Sequence, residues 1–546
     1  MKQLSVISWL LASIAIVAYA GNPVLHTGSD DVNCILDGNT RILWRVAPEI
    51  KPDILETFSE NIIFISDCDT LTVRDLKEWE KRDLDFVTAA GDTALVRVVR
   101  LANNPLENPD PDLLKISPSG KLSREQAIFD IDALIYTISQ VHPDIFSVCR
   151  QEDFLRAVKR AKESVPDSLS APELYMLVAP AVALIGDGHT GVRFPYQRLF
   201  NSDPLRMPLF MDVNTDFTLT CTSSLDSIIP RGADIISING ITADSLITSM
   251  LPYESGEKTH FRIAGIDYSF TALYHMLYPA DSYTVVYRPE GSKKTLTHVL
   301  PAVRWDAIKK RCPSTGSGLR HDIYSFDIDS TNNVAVMDFR SFADVERMEH
   351  FSDSMFTALR EKNIGNLIID LRNNGGGNSR VGDILLRYIS PEPFTQMEKT
   401  FIRTTPLTLK LMGAHGGTPE LTLYETRPSD YIRPLTTEEG HYDGKVYLLI
   451  SNNTYSSAGS FAWAFKVCGM GTVIGQETGG MNVHYGDVVG YPLPVSNLYT
   501  YIPWKRFWQF RADETDIHGT IPDIEVPARD ALTTALKLAS ENKRKD

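Results

Sequence analysis

Residues 453–480 read NTYSSAGSFAWAFKVCGMGTVIGQETGG, and the fold follows from how this stretch divides. Just ahead of it Lys445–Ile450, KVYLLI, is a short apolar run suited to a buried strand. Within it Phe461, Trp463, Ala464, Phe465 and Val467 recur at helical spacing. The small polar cluster between strand and helix sets a hydroxyl at a helix N-terminus. There, unpaired N–H groups and the positive end of the dipole would stabilise a developing oxyanion. The same spacing also allows a plainer role, with Ser456 and Ser457 as helix caps.

Upstream, residues 367–377 read LIIDLRNNGGG, an apolar strand running into an Asp, an Arg and three glycines. Consecutive glycines leave backbone N–H groups bare, which suits an oxyanion hole and equally a tight turn. The chain resembles the S41 family of serine peptidases, the C-terminal-processing and tricorn-core enzymes, at DLRNNGGG, TYSSAG, IGQETGG and the late GTIPDIEV. Four motifs in this order are far more specific than any one of them. The resemblance implies an α/β fold with a βα-spiral core of parallel strands. It also implies a serine peptidase acting on polypeptide or peptide substrates, with no metal and no cofactor.

By the family pattern Ser456 is the nucleophile, with Ser457 next in the chain. The processing branch pairs this serine with a lysine, whose matching position is Met481, a side chain that cannot accept a proton. Lys466 reads as a solvated or snorkelling side chain. A base for a serine hydroxyl needs a pKa near the working pH, and imidazole sits at about 6.5. Residues 185–190, IGDGHT, match the segment that carries the general base in the tricorn-like branch, which selects His189, with His484 as the second candidate. That branch links its His to a Glu through a preceding Ser, and here the preceding residue is Gly188. Asp187 reads as a turn or cap residue. The acid that would orient the imidazole directly is sought in 513–516, DETD, as Glu514 or Asp516, with Glu514 preferred. The oxyanion hole would combine the N–H of Gly376, or of its neighbour Gly377, with that of Ser457.

The remaining chain divides around this core, expected at 305–546. Residues 1–20 have a charged start, an apolar run and a closing Ala-Tyr-Ala, the pattern of a cleaved signal peptide, so export is expected. No later stretch is long and apolar enough to span a bilayer. Residues 21–115 are β-rich and carry no evident chemistry; 120–195 are helical, with a capping box at Ser123–Gln126, and bear His189. Residues 200–303 form a second β-rich unit whose RGADIISING, at 231–240, is similar to a PDZ-like signature. Asp and Glu outnumber Lys and Arg by 69 to 54, with no basic stripe, which disfavours nucleic acid as a partner. The six cysteines form no CxxC, so a zinc site is unsupported, and Cys34 with Cys68 is the favoured disulfide. Two other functions are compatible with the pattern: a non-catalytic binder of peptide or apolar ligand on the same fold, and a hydrolase of non-peptide esters or amides.

Overall fold

A computed structural model describes residues 105–542, apart from 107–108, 116–119, 314–321, 415–416 and 418–420, together with seven short strands between Val24 and Arg97. The expected leader at 1–20 and the expected Cys34–Cys68 disulfide fall outside what is described, whereas Cys149, Cys221, Cys312 and Cys468 are free thiols. Among the described residues no helix is long and apolar enough to cross a membrane.

Three helices come first: α1 (Arg124–Val141), α2 (Gln151–Glu163) and α3 (Ala171–Ala183). Capping boxes open α1, from Ser123 to Gln126, and α3, from Ser170 to Glu173, each satisfying two amides that the helix itself cannot. A turn then leads into β1 (Gly191–Val192). The next unit is an antiparallel sheet of β2 (Leu209–Val213), β3 (Leu219–Ser224), β4 (Asp234–Ile238), β5 (Ser282–Arg288) and β6 (Leu296–Pro301), in that spatial order. Between β4 and β5 lie α4 (Ala243–Met250) and the 19-residue α5 (Thr259–Leu277). This helix does not stand out in the sequence because apolar and aromatic residues surround it, Phe261, Ile263, Ile266, Tyr268, Phe270 and Tyr274 pointing to no single face.

The second half holds the sheet expected from the apolar runs. Its order is β7 (Tyr324–Asp329), β8 (Val334–Phe339), β9 (Asn366–Asp370), β12 (Lys445–Ile450), β13 (Thr472–Gly475) and β16 (Ile524–Glu525). All neighbours from β8 onward pair in parallel, and β7 closes the edge antiparallel. Side chains of a strand alternate between faces, so a strand buried on both sides reads as unbroken apolar sequence. Leu367, Ile369, Leu448 and Ile450 pack beneath α6 (Val345–Glu361), α7 (Ser379–Leu386) and α8 (Ser457–Val467). Ile368, Tyr447 and Leu449 pack on the opposite face against Ala531, Ala535 and Ala539 of α9 (Ala528–Asn542). A separate sheet joins β10 (Met397–Arg403) and β11 (Leu421–Glu425) to the hairpin of β14 (Val483–Pro492) and β15 (Tyr499–Gln509). In that sheet β15 pairs with β1, Gly191 opposite Tyr501, which ties the helical first part to the second half.

Candidate active site

The strand β12 ends at Ile450 and α8 begins at Ser457, so a six-residue turn must reverse the chain. Thr454 fixes that turn: its hydroxyl donates to Leu371 O at 2.9 Å and accepts from Ser451 N–H at 3.0 Å. Tyr455 N–H donates to Asn374 O at 3.1 Å, binding the turn to the glycine loop after β9. Ser456 is left at φ 55° and ψ −129°, a left-handed conformation that a residue with a Cβ holds only when its surroundings impose it. Its hydroxyl makes no capping bond, unlike the serines that open α1 and α3. Instead Oγ lies 3.0 Å from His189 Nε2. Ser457 is different, because its hydroxyl donates to Gly377 O at 2.6 Å and is buried there.

His189 sits in the turn between α3 and β1, on a backbone organised by Asp187. One Asp187 oxygen accepts the His189 N–H at 2.9 Å, and the other accepts the Thr190 hydroxyl at 2.5 Å and faces His142 Nε2 at 3.3 Å. Asp187 Oδ1 stands 3.8 Å from His189 Nδ1, too far for a hydrogen bond. Burial would raise the Asp187 pKa, but the His142 hydrogen bond and the charges of His142 and His189 outweigh it, so the carboxyl stays below its ordinary range. Burial lowers the His189 pKa below the ordinary imidazole value, and the Asp187 charge only partly opposes this. That shift favours the neutral imidazole, the form able to take a proton.

The partner of His189 Nδ1 is one the sequence did not single out: the Tyr455 hydroxyl, 2.8 Å away. Tyr455 Oη in turn donates to Glu257 Oε1 at 3.3 Å. Glu514 and Asp516, the expected orienting acids, are elsewhere. Glu514 faces outward, taking Arg506 at 2.7 Å and the Trp508 indole N–H at 2.9 Å, and its side chain is 60 % exposed. Asp516 accepts Asp513 N–H at 2.8 Å and pairs with His518 at 3.6 Å. The turn after β15 thus satisfies its own carboxylates locally, leaving neither for His189. His484 stacks on His189 at 6.0 Å between ring centroids, and burial drives its pKa down to about 3. Lys466, expected to be solvated, donates to Asp523 and to Ile521 O, both at 2.7 Å.

Of the glycine amides, Gly376 N–H donates to its own loop's Asn374 Oδ1 at 2.9 Å. Gly376 nevertheless abuts the turn: a Cβ there would lie 2.7 Å from Tyr455 O and 2.8 Å from Ser457 N. The other two motifs are scaffolding. Thr478 and Thr520 exchange backbone and side-chain bonds, and Glu477 accepts Gly519 N–H at 2.9 Å. Asp187, His189 and Glu257 are, among the described residues, a group able to place one donor atom each within 4.8 Å of the others, a set that could hold a divalent ion. The Tyr455 hydroxyl already bridges two of the three. A cleft of about 1380 Å³ lies between the inserted sheet and the core, lined among others by Asp212, His260, Arg372, Asn453 and Arg529, with neither Ser456 nor His189 in its wall.

Residues 333–526 match the model of Peptidase family S41. Among solved structures, mature CPAF aligns over 76 % of this chain and 97 % of its own at 14 % identity, with a TM-score of 0.54. Mature CPAF complexed with lactacystin covers 77 % and 98 % at 15 % identity, with a TM-score of 0.54. A CPAF mutant covers 77 % and 97 % at 14 % identity, with a TM-score of 0.55. At these identities the likeness is one of fold.

Proposed function

We infer that this chain, whose residues 333–526 match Peptidase family S41, is a serine peptidase whose nucleophile is Ser456 and whose general base is His189. The observation that carries the reading is the Ser456 Oγ–His189 Nε2 approach of 3.0 Å at a strained, uncapped strand-to-helix turn. A binding protein would have no use for that strain. Oγ attacks the scissile carbonyl carbon while Nε2 takes its proton. The oxyanion is received by Ser457 N–H, at the first turn of α8, with a glycine amide of the 375–377 loop. Gly377 is the better donor of the expected pair, since Gly376 N–H is held by Asn374. His189 then returns the proton to the departing amine. Water, deprotonated by the same imidazole, releases the acyl group from Ser456.

A polypeptide is the substrate class that the family match of residues 333–526 supports, and the cleft, whose lining includes Asn452 and Asn453, is a nearby groove for it. Its wall is the inserted sheet, for which a PDZ-like role in holding peptide remains part of this proposal. Export of the protein, expected from residues 1–20, belongs to the same reading. The test is covalent labelling with a fluorophosphonate. Wild type and Ser457→Ala should label, whereas Ser456→Ala and His189→Ala should not. A folded wild type that takes no label would turn the reading to a binding protein. Labelled protein that cleaves esters but no peptide in a substrate panel would make it a non-peptide hydrolase.

A further inference from the structure

We propose that the inserted sheet unit completes the active centre, delivering Glu257 and Phe261 so that the Tyr455 hydroxyl positions His189 through Nδ1. The proposal rests on the Ser456–His189 assignment and extends it across the domain boundary. With Nε2 accepting from Ser456, the imidazole proton lies on Nδ1 and is donated to Tyr455 Oη at 2.8 Å. The phenol, its oxygen now accepting, gives its own hydrogen to Glu257 Oε1 at 3.3 Å. No proton need leave this chain of donors: it fixes the tautomer and the ring orientation of the imidazole.

Packing points the same way. Tyr455 is stacked between His189, at 4.7 Å and 27°, and Phe261 of α5, at 4.1 Å and 13°. The ring fits only because glycines line it. A Cβ on Gly188 would lie 2.4 Å from Tyr455 Oη and 2.6 Å from Phe261, one on Gly479 2.4 Å from Phe261, and one on Gly480 2.9 Å from Tyr455. The glycines of the two motif turns thus shape a slot for one phenol and the ring that clamps it. Glu257 lies just ahead of α5, so it and Phe261 arrive together. The titratable groups facing Glu257 are Asp187 and His189, from the turn after α3, and Tyr455. Burial and the Asp187 charge push Glu257 up to about 8.

The experiment compares wild type, Tyr455→Phe, Glu257→Gln and Ser456→Ala in the full chain, by fluorophosphonate labelling rate and by peptide kcat and KM between pH 6 and 9. Tyr455→Phe keeps the stacked ring and removes only the hydroxyl. Its kcat and labelling rate should fall about tenfold to a hundredfold with KM nearly unchanged, the usual effect of losing a group that orients another. Glu257→Gln should lower kcat and labelling rate in the same direction, again with KM nearly unchanged. If wild type labels, Ser456→Ala does not, and both variants retain wild-type rates and pH profile, the relay is wrong while the peptidase assignment stands. A changed KM with unchanged kcat in Tyr455→Phe would likewise overturn it, making Tyr455 a substrate contact. Failure of wild type to label would remove both.

Discussion

Ser456 holds a backbone conformation that costs about 1–3 kcal/mol, and the compensation is visible in Thr454 and Tyr455, the two residues just ahead of it, which are bonded into the loop after β9. Ser456 and His189, 3.0 Å apart in the structure, each stand in a short local motif. The hydroxyl that faces His189 Nδ1 gives no such signal, because Tyr455 looks in sequence like one more aromatic. Glu257 stands in no motif at all. Two measurements test these side chains. His189 must be neutral to act, and burial has lowered its pKa, so the acid limb of kcat/KM should fall below the ordinary imidazole value. Activity is then lost only as pH drops through that lowered pKa. Asp187→Asn removes the charge that opposes the shift, and the limb should move further to acid, as a pH–rate profile would record. Second, Asp187, His189 and Glu257 can receive a cation only by displacing the Tyr455 hydroxyl. Chelation with EDTA should leave the cleavage rate unchanged, while added Zn²⁺ should inhibit reversibly, because it would occupy the His189 nitrogen that faces Tyr455.

Among the elements, the parallel strands were legible because each is apolar on both faces: Ile368 and Ile369 serve opposite cores. Helix α5 was not, since its apolar residues form no single stripe, and the long hairpin of β14 and β15 shows no turn signal as plain as Asn-Gly. The orienting acid was sought after β15 for want of this tertiary view. The glycine loop after β9 is where an element-scale prediction is sharpest. Gly376 has φ 94°, and a Cβ would meet backbone atoms of Tyr455 and Ser457, which have nowhere to go. Gly376→Ala should therefore displace the turn and reduce labelling about a hundredfold, the scale of loss when reacting groups shift by about 1 Å. A far-UV spectrum close to wild type would show that the loss is local. Gly188→Ala presses on a side-chain hydroxyl and a ring that can shift, so its effect on labelling should be smaller.

For the molecule as a whole, the proposed active centre draws on four separate stretches of chain: the turn after α3, the segment before α5, the glycine loop after β9 and the turn before α8. Only the last two lie within the residues that match the family. Phe261→Ala should lower kcat by unclamping Tyr455, and thermal unfolding should register the lost ring pair at about 0.5–1.5 kcal/mol. Unchanged kcat would mean that the inserted unit packs on the site without influencing it. The separation of 267 residues between His189 and Ser456 also bears on biosynthesis. At a synthesis rate of about 5–20 residues per second, a growing polypeptide carries its base for roughly 13–53 s before its nucleophile has been made. Throughout that interval the nascent chain has no means of cutting itself or its neighbours. With Ser456 as the proposed nucleophile, catalytic competence cannot precede its synthesis, so the order of the sequence acts as a timer.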